Sequence, residues 1–170
     1  VGTVPDVIAP HLTVLFCGIN PGLYSAAVGH NFARPGNRFW PAIFGAGFTD
    51  RLFSPSEEWK LLEYGCGITN FVRRATASAD ELTKDELIKG AKRLKTKVRL
   101  YTPKYLAVVG LTAYRIAFKV PKAKIGLQKN TIGKTLIWIL PNPSGLNAHH
   151  QLPDLIRYFG ELRSHSLKSN

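Results

Sequence analysis

The chain has 170 residues, 45% hydrophobic and 20% charged, which is ordinary for one soluble globular domain with room for a proper core. Lys and Arg number 23 against 11 Asp and Glu, giving a net charge of +12 and a sequence pI near 10.0. Such a field suits nucleic acid or another anionic surface, with bare solubility as the alternative.

Taken in chain order, residues 12–17 form a short apolar run that reads as a buried strand, halted by the turn Gly18-Ile19-Asn20-Pro21-Gly22. Leu23 to Arg34 then shows neither helical nor strand periodicity and reads as a loop carrying His30, Asn31 and Phe32. Short helices are expected near 37–46 and 56–64, and a second strand over 66–70. After a loop from Arg73 to Asp80, Thr83-Lys-Asp-Glu86 is a capping box. It opens a helix whose Leu87, Ala91, Leu94 and Val98 make a buried stripe, ending before Pro103. The lysines and arginines on its other faces read as a solvated surface in preference to DNA contacts.

A third strand follows over 105–110 and a helix over 111–119. Residues 119–134 hold Lys119, Lys122, Lys124, Lys129 and Lys134 with no acid, and read as a basic loop able to track phosphates. The fourth strand, 135–140, stops at Pro141-Asn142-Pro143-Ser144-Gly145-Leu146. A last helix over 152–163 has Pro153 in its first turn, and Ser164 to Asn170 is expected to fray. The alternation predicts a βαβ architecture with helices on both faces of a mainly parallel four-stranded sheet. All 170 residues are expected to form one domain with its core at about 8–163.

No stretch approaches the ~20 apolar residues of a membrane span. No signal-peptide pattern is present, so the cytosol is the expected compartment. Position 1 is not methionine, which suggests a trimmed or mid-chain start. Cys17 and Cys66 read as two buried, reduced thiols. No C-x-x-C spacing, G-x-G-x-x-G or G-x-x-x-x-G-K-[ST] occurs, so neither metal nor cofactor is expected.

The two Asn-Pro turns lie beyond strand ends, where parallel α/β sheets bind ligands, and suggest one cleft. An Asn amide can pair with a planar base or orient a water without titrating. Phe32 offers a stacking face or, equally, core filler; Leu146 is a wedge or the first apolar residue of the next helix.

Gly18-Ile19-Asn20-Pro21-Gly22 with Asn142-Pro143-Ser144-Gly145-Leu146 closely resembles the mismatch-specific uracil-DNA glycosylases, the branch that includes thymine-DNA glycosylase. The run Asn31 to Trp40, Ala46-Gly47-Phe48-Thr49-Asp50 and Gly65-Cys66-Gly67-Ile68-Thr69 extend the likeness over roughly residues 8 to 163. The resemblance implies a three-layer α/β/α fold and cleavage of the bond joining uracil, or a related pyrimidine, to deoxyribose. It implies that Asn20 orients the water and Phe32 stacks on the flipped base. Gly18, Ile19, Ser25 and Asn142 would help bind the base, and Ser144, Gly145 and Leu146 would form the wedge and strand contacts.

Two residues are added from their position alone. Asn70, at the end of the second strand, could line the cleft. Asp80 is a candidate carboxylate for assisting the water, or else simple polarity before the Thr83 cap. The expected partner is DNA carrying a mismatched or damaged base, double-stranded with single strands as an alternative, bound by a monomer. Relatives often have an arginine soon after the wedge leucine, where this chain reads Asn147-Ala148-His149-His150, which leaves the strictness of any opposite-base requirement open. Rival readings are a DNA-binding protein without catalysis, a nucleotide- or flavin-binding module, and a cysteine hydrolase using Cys17.

Overall fold

The computed structural model describes residues 3–168. Strands β1 (Val14–Gly18), β2 (Cys66–Asn70), β3 (Tyr105–Val109), β4 (Gly126–Ile132) and β5 (Thr135–Leu140) form one five-stranded sheet in the order β2-β1-β3-β5-β4. All neighbours are parallel except β4, which joins β5 antiparallel at the edge. Helices α1 (Leu23–Val28), α2 (Phe39–Gly45), α3 (Lys84–Tyr101), α4 (Leu111–Ala117) and α5 (Leu152–Lys168) connect them, with 3-10 segments at Pro55–Tyr64 and Ala79–Glu81.

Successive residues of a strand face opposite sides, and here both sides are covered. Val14 and Phe16 of β1 pack with Phe39, Trp40 and Ile43 of α2 and with Leu155, Phe159 and Leu162 of α5. Leu15 and Cys17 pack with Leu87, Ala91, Leu94 and Val98 of α3 and with Ala113 and Tyr114 of α4. The result is a three-layer α/β/α sandwich. The capping box at Thr83 forms as expected: its hydroxyl accepts from the Glu86 N–H, and the Glu86 carboxylate accepts from the Thr83 N–H, each at 3.1 Å.

Three expectations are corrected. The stretch read as a basic loop contains β4, and a two-residue turn with Gly133 at φ 57° joins it to β5. As an edge strand it keeps Lys129, Asn130 and Thr131 exposed, so it shows no apolar run. Part of the region read as a loop after the first turn is the short helix α1. Its Leu23, Tyr24 and Val28 stay exposed, so it has no buried stripe to betray it. Finally, α5 continues past residue 163 to Lys168. Buried Ser166 extends the Leu155, Phe159, Leu162 stripe with a polar residue, and His165 Nδ1 lies 2.7 Å from the Tyr105 hydroxyl. Ser169 and Asn170, also expected to fray, lie outside the described residues.

The chain steps from β1 outward to β2, then back across to β3, so its direction of winding reverses beside β1. A crevice at the carboxyl ends of the strands follows from that reversal.

Candidate active site

A cleft of about 550 Å³ opens there, lined by Gly18 to Gly22 after β1, Asn70 and Thr76 to Ala79 after β2, Val109, Leu111 and Thr112 around the start of α4, and Asn142, Ser144, Leu146 and Asn147 with their neighbours after β5. A second cavity, about 790 Å³, lies at the amino ends of the strands between Thr13, Lys104 and Thr135. The smaller cleft gathers the convergent amides and hydroxyls that fix a ligand's orientation.

Asn20 is held at the mouth of β1 by its own amide. Its Nδ2 donates to the Arg74 carbonyl and to the Thr76 hydroxyl, both at 2.8 Å. The Thr76 hydroxyl spends its proton on the Ser78 carbonyl at 2.7 Å, so it can only accept from Asn20. Both NH₂ hydrogens are thereby committed, and the amide cannot flip without facing acceptor to acceptor. Asn20 Oδ1 is left as the acceptor that can take a proton of a water. Arg74 is anchored in turn, its guanidinium donating to both Glu86 oxygens at 2.9 Å. That pairing, with the Thr83 N–H, holds the Glu86 carboxyl down at about 2.

Phe32 has φ 52°, a left-handed conformation that bulky residues rarely adopt and that strained functional loops do. One face of its ring stacks on Phe39 with centroids 4.1 Å apart, and Phe39 packs edge-on against Phe16 and Trp40. The ring also lines the cleft. Phe32 is thus both core filler and a backed aromatic wall. Ser25 Oγ accepts from the Ala33 N–H at 3.0 Å, which pins the chain just after Phe32. A Cβ on Gly18 would stand 2.5 Å from Asn70 Oδ1 and 3.3 Å from Phe32 Cζ. Only glycine lets that amide and that ring meet on the cleft floor. Ile19 also lines the cleft, with its carbonyl accepting from the Val72 N–H at 3.1 Å.

The turn after β5 is rigid. Asn142 Oδ1 accepts from the Ser144 N–H at 2.9 Å, and Ser144 Oγ accepts from the Leu146 N–H at 3.2 Å. Gly145 sits so close to Gly36 that a Cβ would be 2.8 Å from its carbonyl oxygen. Arg38 grips the whole turn: its guanidinium donates to the carbonyls of Pro143, Ser144, Asn147 and His150. Leu146 is nonetheless 69% exposed, an apolar tip on a stiff loop.

The expected sites Gly18, Ile19, Asn20, Ser25, Phe32, Asn70, Asn142, Ser144 and Leu146 therefore line one cleft, with Gly145 within its rim loop. Asp80 does not join them. It is exposed on the short 3-10 turn, and although Ala77, Ser78 and Ala79 line the cleft, no Asp or Glu among the described residues does. No lysine of 119–134 lines it either. Cys17 is buried, and burial raises its thiol pKa, which removes the thiolate a cysteine hydrolase would need. Burial pushes Cys66 up to about 12.

Sequence reasoning named Asn31 in the loop before Phe32 and gave no role to Thr76, Arg74, Arg38 or Glu58. All act by holding other residues across long chain separations; the "Asn37-Arg38-Phe39-Trp40" likeness was the one available hint. Among the described residues no group of His, Cys, Asp and Glu is placed to hold a metal ion, and no helix is long and apolar enough to cross a membrane.

The family model described as Uracil DNA glycosylase superfamily matches residues 5–163, nearly the whole chain and every residue of the cleft. The chain belongs to the uracil DNA glycosylase superfamily, whose members are DNA-repair hydrolases acting on N-glycosyl bonds.

Proposed function

We propose that the protein is a mismatch-directed uracil-DNA glycosylase of the branch that includes thymine-DNA glycosylase. In this reading it flips uracil, and related mismatched or damaged pyrimidines, out of DNA and hydrolyses the glycosidic bond to leave an abasic site. The observation that carries the reading is the locked Asn20 amide, whose free Oδ1 shares one cleft with the Phe32 ring and the exposed Leu146.

A base inside a stacked duplex is out of reach, and extruding it costs a few kcal/mol, least for a mispaired base. Leu146 fills the vacated space, and the Arg38 grip keeps the turn from yielding as it does so. The flipped pyrimidine lies against Phe32, between Ile19 and Asn70, with Ser25 and Asn142 contributing polar groups. Glycosidic cleavage develops positive charge on the sugar and negative charge on the departing base. Backbone N–H groups of the Gly18–Gly22 turn stabilise that base anion in the manner of an oxyanion hole.

Asn20 holds the water by Oδ1 and cannot remove its proton at neutral pH, and no Asp or Glu among the described residues lines the cleft to help. Bond breaking therefore leads, the water adds to the sugar cation, and the proton it sheds goes to the departed base anion. Asp80 takes no part in this scheme. The test is single-turnover formation of alkali-labile abasic sites from duplexes carrying uracil opposite G or A, and from the single strand. Cleavage of the G-opposed uracil at least ~10-fold faster than the A-opposed one supports the reading, about what a weaker pair to open allows. No abasic product from any substrate refutes it.

A further inference from the structure

Beneath Asn70 lies a buried polar chain that the catalytic scheme leaves unused. Glu58, on the 3-10 segment Pro55–Tyr64, is fully buried. Its Oε1 accepts from the Asn31 backbone N–H at 3.2 Å and from Asn31 Nδ2 at 2.8 Å, while Oε2 sits 2.6 Å from His30 Nδ1. Asn31, also buried, donates from the same Nδ2 to the Pro5 carbonyl at 3.2 Å. Its Oδ1 accepts from Asn70 Nδ2 at 3.1 Å.

Each direction in this chain is forced. The Pro5 carbonyl can only accept. Glu58 Oε1, which accepts from the Asn31 backbone N–H, lies on the same side of the Asn31 amide as that carbonyl. The Asn31 amide must therefore turn its NH₂ toward Glu58 and Pro5 and its oxygen toward Asn70. Asn70 must then donate, and its own oxygen is turned to the cleft floor beside Gly18.

We infer that Glu58, acting through Asn31, is the positioning residue that holds Asn70 with its amide oxygen toward the base, and so selects pyrimidines with an N3–H. The inference rests on the reading of Asn70 as a contact to the flipped base. Uracil and thymine carry a donor at N3 beside an acceptor at O4; cytosine has the reverse, an acceptor at N3 beside a donor at N4. An Asn oxygen accepts from N3–H while its remaining N–H serves O4. Reading cytosine requires the flipped amide, which would set Asn70 Oδ1 against Asn31 Oδ1 and leave two acceptors in the protein unmatched. A loss of that kind is worth roughly 10- to 100-fold.

The experiment is single-turnover uracil excision from a G-opposed duplex by Glu58→Met, Asn31→Leu and Glu58→Gln, each also in an Asn70→Ala background. Circular dichroism and DNA affinity are followed alongside. Glu58→Met removes the acceptor at similar size. Asn31→Leu breaks the chain while sparing the Asn31 N–H bond to Glu58, so it serves if Glu58→Met does not fold. Glu58→Gln keeps an oxygen for Asn31.

The expected result is a fall of about 10-fold or more in the first two variants with unchanged DNA affinity, and near wild-type excision in Glu58→Gln, as befits loss of one buried acceptor. In the Asn70→Ala background the same changes should cost little more, because nothing remains to be oriented. The ratio of cytosine to uracil excision should rise in the same two variants. An equal fall with and without Asn70, or wild-type rates in Glu58→Met or Asn31→Leu, overturns the inference. Absence of uracil excision by the wild-type protein would instead sink the proposed function, which keeps the two failures apart.

Discussion

Truncating Leu146 to alanine isolates the wedge. In the free protein this side chain is 69% exposed, so removing it deletes little packing, and thermal stability should hold. In the duplex-bound state it would be buried between base pairs. Full burial of a leucine is worth about 1.5–3 kcal/mol, and roughly two-thirds of that is still to be gained here, so insertion contributes about 1–2 kcal/mol. That corresponds to a 5- to 30-fold fall, roughly, in duplex excision. The loop should keep its shape in the variant, because its bonds run through Asn142, Ser144 and Arg38 and none through the leucine side chain. The assay compares single-turnover excision from a G-opposed uracil duplex with excision from the same strand alone. Only the duplex has to be opened, so the single-strand rate should stay within about twofold of wild type. Equal losses on both substrates would refute the wedge.

Asn20→Ala should lower single-turnover excision by about 10²–10³-fold, the usual cost of one preorganised polar group at the reacting centre. Its DNA affinity should change only a few-fold, because phosphate contacts supply most of that; proportionate losses would mark Asn20 as structural. Asp80→Asn should excise at the wild-type rate, and a fall of about 100-fold, a typical general-base contribution, would return that carboxylate to the mechanism. In acid, the Arg74–Glu86 tie should fail. Its carboxyl is depressed from 4.5 to about 2, so the stability it adds is present above 4.5 and is lost as pH falls through about 2. The pair is partly exposed, so the effect is small, and hydrogen exchange of residues 73–82 between pH 5 and 2, roughly, should show an acid opening that Glu86→Gln lacks. Neither Cys17 nor Cys66 should react with a thiol reagent at neutral pH until the protein is unfolded, and one fast-reacting thiol in the native protein would contradict their burial.

What the sequence determined by itself was set by local patterns. Four apolar runs announced the parallel strands, because strands covered on both faces are hydrophobic throughout. The Thr83 box announced the start of α3, because it is written in four consecutive residues. Two short turns, Gly18–Gly22 and Asn142–Leu146, announced the cleft and its family, because close backbone approach and a protruding leucine are local needs. Tertiary structure decided the rest. Strand β4 exists because β5 offers it an edge, and its exposed polar residues carry no pattern of their own. The last turns of α5 exist because the buried Ser166 hydroxyl bonds back to the Arg163 carbonyl and His165 reaches the Tyr105 hydroxyl of β3. The working state of the site is likewise non-local. Asn20 takes its orientation from Arg74 and Thr76, more than fifty residues away, the wedge turn is gripped by Arg38 from more than a hundred, and Asp80 is left outside the cleft by the path of its turn. A hydrogen bond's direction depends on what each partner has already spent on others, and that accounting exists only once the chain is folded.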